Sequence, residues 1–589
     1  MSEQEGRNSE EQESDSPRSE FVERVSFVDH IHRHLNFSIF GLSFLAIPVG
    51  IFSAYGAWGF LEAIGLVGHW LRDDIGVAGG KMQMFELAVG GLVFGLILHF
   101  LKWERFRNPA HVIVAVSENG GRLRARDGVV TSLADALALA LGAPVGRYGP
   151  AVYLGATIGS VFAQLLRLNE TSVRILLGCG VAGAISASFN APIAGVIFAH
   201  EVIIGHFKLR AFAPITLASV AAVAVSRFHH VEYVALKLWS APHEISLGDY
   251  PFYLLLGLIA AVVSMAYMAG IMRTSELASW LKLPAWFQPV LGGAIAGAIA
   301  LWMPMVLGLG DKNLQAVLEQ DSGDPVYGLQ FLLMLGIAKL VASACCLGLR
   351  YPGGAFTPAI FIGAMLGGCV GFVIPSLDYQ ISVLVGMGAM VSSVIGAPLA
   401  VILIVFELTE NYQAATAVMV AVVASNAVVT RFFSRSLFHH QIRFWGIEIN
   451  RPAEQRIMAS RNVGQVTRRR YVAVPGEITV AEAREKAETR PDRPTFIVDA
   501  GGRLIGQLQG SSWRTKDDET LVINVVEKHS TILAQDESLW SGFEKMEAEE
   551  ESWAPVVESK ESERLVGYAT KPDFLAAYRR AVQESQREE

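Results

Sequence analysis

The chain has little charge for its length, and most of that charge lies towards its two ends. Asp, Glu, Lys and Arg make up 18% of the 589 residues, while hydrophobic residues make up 52% and the mean hydropathy is +0.37. A soluble protein of this size would carry far more charge in its middle. Apolar segments recur from about residue 37 to about residue 429, several of them long enough to cross a bilayer. The sequence therefore predicts a polytopic integral membrane protein.

Cysteine is scarce, and no cysteine lies in a loop that a disulfide could staple. The four cysteines sit in apolar segments, which favours buried small hydrophobic residues over a disulfide framework or a metal site; they are Cys179, Cys345, Cys346 and Cys369. A secretory signal peptide is also missing, because the chain starts with an acidic, Ser-rich stretch. That composition predicts a disordered tail over residues 1–33.

Basic residues cluster beside the apolar segments. Because cytoplasmic loops carry an excess of Lys and Arg, these clusters predict a cytoplasmic face and place both termini in the cytoplasm. The residues are Lys102, Arg105, Arg107, Arg122, Arg124, Arg126, Arg431, Arg435 and Arg443.

Composition divides the rest of the chain into a membrane domain, residues 34–446, and a soluble α/β domain, residues 455–589. Within the first, residues 34–235 and 236–446 are predicted to be two repeats. Short Gly-rich apolar runs such as Val173–Gly183 and Pro358–Gly368 predict half-helices that stop inside the membrane.

A motif with glycines and a proline at fixed spacing occurs twice. It reads G-x-x-x-P-A-x-x-x-G-A and starts at Gly146 and again at Gly354, 208 residues later. In duplicated membrane folds, paired helix breaks of this kind meet at a mid-membrane binding site. Position 148, inside the first break, is a tyrosine.

A second element recurs in the same order. An Ala-Pro-x-Ala sequence at Pro192 is followed nine residues later by Glu201, and the copy at Pro398 is followed by Glu407. Two repeats in register predict two related halves, and the alternative is chance similarity among residues that pack helices closely. The sequence does not show whether the halves are parallel or inverted.

The soluble domain also contains two similar units, predicted over residues 461–515 and 520–580. Each alternates β-rich segments and an amphipathic helix in the order strand, helix, strand, strand. The segments of the first unit are Tyr471–Val474, Val480–Thr489, Thr495–Val498 and Arg503–Leu508. Those of the second are Ser530–Leu533, Leu539–Ala548, Ala554–Val557 and Arg564–Thr570, with a final helix from Lys571.

Four stretches of the membrane domain carry a family likeness: Gly146–Pro150, Ser188–Pro192, Gly353–Pro358 and Phe406–Tyr412. They resemble the CLC family of chloride channels and chloride/proton antiporters, and the C-terminal pair resembles CBS domains. The likeness covers residues 34–580. It implies an all-α polytopic fold with an inverted repeat and re-entrant half-helices, followed by an α/β CBS pair. It further implies a homodimer in a bacterial-type inner membrane, chloride as the transported ion, no required cofactor, no nucleic-acid partner and no enzyme activity.

The resemblance also implies where the anion lies. Glycines let backbone N–H groups approach an ion, and helix N-termini present such donors with a favourable dipole. The donors would be the N–H groups of Ala355 and Phe356, and those of the first break, Gly146, Arg147, Tyr148, Gly149 and Pro150, although Pro150 itself lacks an N–H. The alternative is that these glycines only permit close helix packing.

Two departures from the family pattern concern protons. The family usually has a glutamate at position 148, which competes with the anion and carries a proton, but here it is Tyr148. A phenol, with a pKa of about 10, stays neutral at pH 7. The internal proton glutamate of the antiporters is replaced by Val202, which follows Glu201. Proton coupling by the family's usual route is therefore predicted to be absent.

Two further departures concern the anion. The Gly-Ser-Gly-Ile-Pro motif that supplies a coordinating serine is missing, and the best register puts Arg107 at the serine. Arg107 would either attract anions into the inner mouth or be an ordinary loop charge. The late tyrosine that faces the anion is replaced by Phe438, so we hypothesise that Tyr148 contributes the missing hydroxyl.

The second soluble unit contains Thr570 and Asp573 in a pattern that resembles the CBS nucleotide motif, in which these types contact ribose and phosphate. Two interpretations are open: the CBS pair binds an adenine nucleotide, or it is a structural module without a nucleotide.

The pair His200-Glu201 resembles part of an intramembrane metalloprotease motif. That motif needs a second histidine at position 204, where this chain has Ile204.

The leading prediction is a passive chloride channel. Its alternatives are a secondary transporter with an unrecognised coupling route and a non-conducting sensor linked to the CBS pair.

Overall fold

The computed structural model describes residues 39–71, 83–229, 245–319, 327–447, 453–488, 493–508, 512–527, 531–559 and 561–588. The predicted tail, residues 1–33, and the predicted repeat boundary at residues 235–236 lie outside this part of the chain. The described residues form two compact units, one up to residue 449 and one from residue 450.

The first unit is helical. Its helices are α1 (Ile39–His69), α2 (Gln83–Leu101), α3 (Pro109–Glu118), α4 (Ala125–Ala140), α5 (Tyr148–Leu165), α6 (Glu170–Phe189), α7 (Pro192–Phe198), α8 (Leu209–Phe228), α9 (Tyr250–Trp280), α10 (Gln288–Trp302), α11 (Asp311–Glu319), α12 (Leu329–Gly348), α13 (Phe356–Val373), α14 (Tyr379–Ile395), α15 (Pro398–Thr409), α16 (Tyr412–Phe432) and α17 (Leu437–Phe444). A π-helical turn, Ala199–Ile204, continues α7, and a 3-10 turn, Pro304–Val306, follows α10.

Seven helices of the described residues are long and apolar enough to cross a membrane, and five more apolar helices are shorter. The chain is therefore a multi-pass membrane protein, as its composition predicts. The half-helix prediction was wrong for Val173–Gly183 and Pro358–Gly368, because these runs lie inside α6 and α13, which have 20 and 18 residues. The short helices are others, such as α3, α7 and α15.

The Gly-rich runs stay helical because their glycines lie at close helix–helix contacts. A Cβ atom at Gly155 would lie 2.4 Å from the carbonyl oxygen of Gly180, and one at Gly363 would lie 2.5 Å from that of Gly386. Gly155 and Gly363 occupy the same place in the two copies of the motif. The later glycine of each copy therefore serves helix packing, as small residues do in membrane proteins.

The two short helices α7 and α15 cap each other. The Glu407 carboxylate accepts hydrogen bonds from the backbone N–H groups of Ile193, at 2.9 Å, and Ala194, at 2.8 Å. In return, Glu201 accepts from Leu399, at 3.1 Å, and Ala400, at 2.9 Å. The exchange is reciprocal: a glutamate from each half caps the short helix of the other half.

The second unit is α/β. Its elements are α18 (Ala453–Ala459), β1 (Val472–Pro475), α19 (Val480–Glu488), β2 (Thr495–Val498), β3 (Leu504–Leu508), β4 (Leu533–Ala534), α20 (Leu539–Ala548), β5 (Trp553–Val557), β6 (Leu565–Thr570) and α21 (Lys571–Glu588). In each three-stranded sheet the first two strands are parallel and the last two antiparallel. Both sheets have a register irregularity in the middle strand, at Ile497/Val498 and at Val556/Val557. The predicted fold class, a helical membrane domain followed by paired α/β units, is confirmed.

Replacing Glu407 with glutamine tests the reciprocal caps. A glutamine side chain keeps one acceptor oxygen but loses the charge and the second acceptor, leaving one of the two N–H groups at the start of α7 without its carboxylate. Hydrogen bonds to charged groups contribute about 1.5–3 kcal/mol each. We expect Glu407→Gln to lower the melting temperature of the purified protein in detergent.

The matched control is Glu410→Gln, three residues further on at an exposed position. It should melt like the wild type. Equal melting temperatures for both variants would mean that the carboxylate caps contribute little to stability.

Candidate functional site

The two motif copies meet through a pair of backbone hydrogen bonds. The N–H of Gly146 donates to the carbonyl of Gly354 at 2.7 Å, and the N–H of Gly354 donates to that of Gly146 at 2.9 Å. The N–H of Arg147 donates to the hydroxyl of Thr357 at 3.3 Å. These bonds hold the N-termini of α5 and α13 side by side.

Glycine is needed where these segments cross. Gly353 has φ +137°, and a Cβ atom there would lie 2.3 Å from Cγ2 of Val145. A Cβ atom at Gly354 would lie 3.1 Å from the backbone nitrogen of Gly149. The first glycine provides a backbone conformation that L-residues rarely adopt, and the second allows backbone to approach backbone.

Three helix N-termini line one cavity. Its wall includes Asn108 and Pro109 at the start of α3, Gly149 at the start of α5, and Ala355 and Phe356 at the start of α13. The first backbone N–H groups of a helix have no partner within the helix, and the helix dipole adds positive potential there. These helix N-termini therefore offer an anion backbone donors that carry only partial charges.

Tyr148 is buried in an aromatic cluster. Its ring stacks on that of Phe189 with centroids 4.1 Å apart, and the ring of Phe356 is 4.9 Å away. The guanidinium of Arg147 lies over the Tyr148 ring, with 5.1 Å to the centroid, and donates a hydrogen bond to its hydroxyl at 3.2 Å. A hydroxyl that accepts from a cation is a stronger donor towards a further acceptor.

Arg147 is anchored at its far side. Its guanidinium forms an ion pair with Asp311, at the first residue of α11, with an N–O distance of 3.3 Å. Sequence reasoning missed Asp311, because the two residues are 164 positions apart and no local pattern links them.

Of the other predicted site residues, Phe438 and Arg107 line the cavity and Val202 does not. Phe438 is buried and lines the cavity, so it shares the cavity with Tyr148. Arg107 also lines it, but its guanidinium pairs with Asp127 at 3.5 Å and lies over Trp103. Val202 is buried in the π-helical turn and is not a cavity-lining residue.

Two amide side chains, those of Asn108 and Gln441, lie in the cavity wall. The Asn108 amide donates to Oε1 of Gln441 at 3.1 Å, and Gln441 is on the same face of α17 as Phe438. Asn108 also caps α3, where its Oδ1 is hydrogen-bonded to His111 at 2.9 Å. Sequence reasoning missed both amides. The signal available for Asn108 was an Asn-Pro pair before an apolar run, a common helix start.

Thr570 and Asp573 begin helix α21. The Asp573 carboxylate accepts from the Thr570 hydroxyl at 2.6 Å and from the Thr570 N–H at 3.1 Å. Arg468 donates to both carboxylate oxygens, at 2.7 and 2.9 Å. Although burial alone would raise the pKa of Asp573, the hydrogen bonds from Arg468 and Thr570 outweigh it and lower that pKa below its ordinary value. The carboxylate therefore stays ionised and engaged at neutral pH.

Comparison with known proteins agrees with this architecture. Residues 90–430 match the family model described as voltage gated chloride channel. A putative chloride channel protein ClcB-like from Ralstonia nicotianae is 32% identical over 348 residues, which are 56% of this chain and 79% of that protein. The voltage-gated ClC-type chloride channel ClcB of Escherichia coli O17:K52:H18 is 27% identical over 418 residues, which are 67% of this chain and 97% of that protein.

A solved structure has a similar fold. The crystal structure of a slow cyanobacterial Cl⁻/H⁺ antiporter superposes with a TM-score of 0.60 and 19% identity, covering 70% of this chain and 99% of that one. At this identity the likeness concerns the fold alone.

Replacing Gly353 with alanine tests the crossing of the two breaks. The added Cβ atom would meet Val145 at 2.3 Å in a left-handed backbone conformation, so the loop before α13 must shift. Such strain costs about 1–3 kcal/mol. We expect Gly353→Ala to weaken chloride binding at least about tenfold, measured by isothermal titration calorimetry.

Gly59→Ala is the control, because a Cβ atom at Gly59 in α1 has no neighbour within 4 Å. Its chloride affinity should equal that of the wild type. Unchanged affinity in Gly353→Ala would show that the anion does not bind at this crossing.

Proposed function

The chain belongs to the voltage-gated chloride channel (CLC) family, and from that premise we propose that it is a passive, proton-uncoupled anion channel. It acts as a homodimer in a bacterial inner membrane, with both termini in the cytoplasm and chloride as the conducted ion. The observation that carries the proposal is the cavity formed by three helix N-termini, in which Tyr148 stands where a proton-carrying carboxylate would be needed.

Backbone donors suit conduction better than a fixed cation would. Helix dipoles attract the anion at the Gly146–Gly354 crossing, and because these donors carry only partial charges, they let the anion leave again. The N–H groups of Gly149, Ala355 and Phe356 are the proposed ligands, and the Tyr148 hydroxyl is the proposed side-chain donor. Phe438 lines the same cavity but has no hydroxyl, so of these two aromatic residues only Tyr148 can donate a hydrogen bond to the anion.

Proton uncoupling follows from the two replaced positions. The phenol of Tyr148 cannot cycle between charged and neutral forms near pH 7. Val202 has no titratable group at all. A proton would therefore find neither of the two carriers on which the family's exchange depends.

A second candidate function, anion exchange coupled to protons, is favoured by one buried carboxyl. Asp135 in α4 is 1% exposed, its Oδ2 has no hydrogen-bond partner, and the N–H of Gly353 faces it. On the same helix face, Thr131 and Ser132 are also buried with unpartnered hydroxyls. A buried carboxyl beside the anion cavity could carry a proton where Tyr148 and Val202 cannot.

Reconstitution in liposomes with an imposed chloride gradient separates the two functions. A channel dissipates the gradient without moving protons against their own gradient. Uphill proton movement in the wild type would contradict the channel proposal. Loss of that movement in Asp135→Asn would then identify the coupling group.

The variant Tyr148→Glu tests position 148 in the same assay. A glutamate carboxylate can occupy the anion site when ionised, so chloride flux should fall as the pH rises through the pKa of the new residue, about 4–5 if it is unperturbed. Tyr148→Phe is the matched control: it should bind the anion more weakly and show no new pH dependence. Flux of Tyr148→Glu that is independent of pH would place residue 148 outside the pathway.

We propose that the C-terminal pair needs no nucleotide to fold, because Arg468 already engages the carboxylate that would contact a ribose. A nucleotide that uses Asp573 must displace this guanidinium. We therefore expect Arg468→Gln to bind ATP at least about tenfold more tightly than the wild type, in calorimetry.

The control is Arg469→Gln, the exposed neighbour in sequence. It should bind ATP like the wild type. If Arg468→Gln gains no affinity, Thr570 and Asp573 serve only as the cap of α21.

A further inference from the structure

Two arginines in the cavity wall form no ion pair with a carboxylate of the described residues. Arg105 lies in the loop before α3, and Arg350 follows α12; both line the cavity that contains the three helix N-termini. Arg105 donates to the hydroxyl of Ser275 at 3.4 Å and lies over the ring of Trp445, 5.8 Å from its centroid. Arg350 donates to the backbone carbonyl of Glu104 at 2.5 Å.

The positive charge of Arg350 acts on Arg105. Burial, and next the charge of Arg350, lower the pKa of Arg105, while the charge of Glu104 raises it. The charge of Glu104 acts on Arg350 in the same direction, but Glu104 forms no ion pair with either arginine within the described residues, and its side chain is exposed. One exposed carboxylate therefore acts on two cavity-lining guanidinium groups, and an anion between them would add compensating negative charge.

Arg350 follows α12 in the left-handed conformation that is common just past a helix C-terminus. Its φ is +64°, and the N–H of the next residue, Tyr351, donates to the carbonyl of Cys346 at 2.9 Å. The Nε of Arg350 is buried without a hydrogen-bond partner. Arg107, by contrast, has its charge balanced by Asp127.

We propose that Arg105 and Arg350 form a binding site for a small inorganic dianionic oxyanion of the sulfate or phosphate type, at the inner mouth of the anion pathway. Guanidinium groups present two parallel N–H donors that match two oxygens of an oxyanion, whereas a halide has no pair of acceptor atoms to match this fork. The amides of Asn108 and Gln441 line the same cavity and offer further donors.

A dianion held in this way obstructs chloride. Conduction requires an ion to leave its site readily, but a dianion between two partly buried cations is held more tightly than a monovalent ion. Sulfate therefore acts as a blocker from the inner mouth rather than as a conducted ion. The site does not depend on the channel proposal, because binding at the arginine pair can be measured whether or not the protein conducts.

The test combines direct binding with flux. Isothermal titration calorimetry with sodium sulfate measures binding to the purified full-length protein, and liposomes with sulfate on both faces measure block of chloride flux. We expect sulfate to bind the wild type. Arg105→Gln and Arg350→Gln should each lower the affinity for sulfate at least about tenfold, which corresponds to about 1.4 kcal/mol. Arg105→Lys, which keeps the charge but loses the planar fork, should bind sulfate several-fold more weakly.

The charge-matched control is Arg431→Gln, whose guanidinium lies over Phe432 and away from this cavity. It should keep the wild-type affinity for sulfate. No sulfate binding by the wild type, or equal binding by wild type and Arg105→Gln, would overturn the proposal. Phenyl phosphate presents phosphoryl oxygens on a larger organic molecule. If phenyl phosphate bound as tightly as sulfate, the assignment of the site to a free inorganic anion would be overturned.

Discussion

The two hydrogen bonds between Gly146 and Gly354 are the constraint on which the site depends. They join residues 208 positions apart and place the starts of α5 and α13 next to each other. Without this crossing each helix would still form, because its own apolar residues and its glycine contacts determine it. The two N-termini would no longer point into one cavity, and neither alone presents enough donors to replace the hydration shell of an ion.

The membrane unit satisfies its interrupted backbone within the protein. The first N–H groups of a short helix have no partner within the helix, and the hydrocarbon core of the membrane offers no hydrogen-bond acceptor. The protein must therefore provide partners for them. At α7 and α15 the partners are carboxylates, Glu407 and Glu201, and each comes from the opposite half. At α5 and α13 the first N–H groups face the cavity instead. The same physical requirement thus gives a structural cap in one pair of breaks and the proposed anion-binding surface in the other.

Charge is distributed unequally along the cavity. Around Tyr148 the neighbours are aromatic rings and one cation whose charge Asp311 balances, so an anion there meets a neutral hydroxyl and backbone dipoles. Around Arg105 and Arg350 no ion pair balances the charge within the described residues. Our proposals assign chloride to the first place and a dianion to the second. At the first place, Tyr148 departs from the family pattern.

The sequence by itself determined the membrane class, the repeated motifs, the strand and helix order of the soluble units and the absence of carboxyl groups at positions 148 and 202. These features depend on composition, periodicity and spacing, all of which are local in the chain. Only the tertiary structure decided that Val173–Gly183 continues as a full helix, that Arg107 is paired with Asp127, and that Asp573 is held by Arg468. It also decided that Arg105, Arg350, Asn108 and Gln441 share one cavity. The reason is physical: a guanidinium or amide next to an apolar segment has the same local pattern whether it faces solvent, a carboxylate or an ion, and only the packing of distant helices selects among these partners.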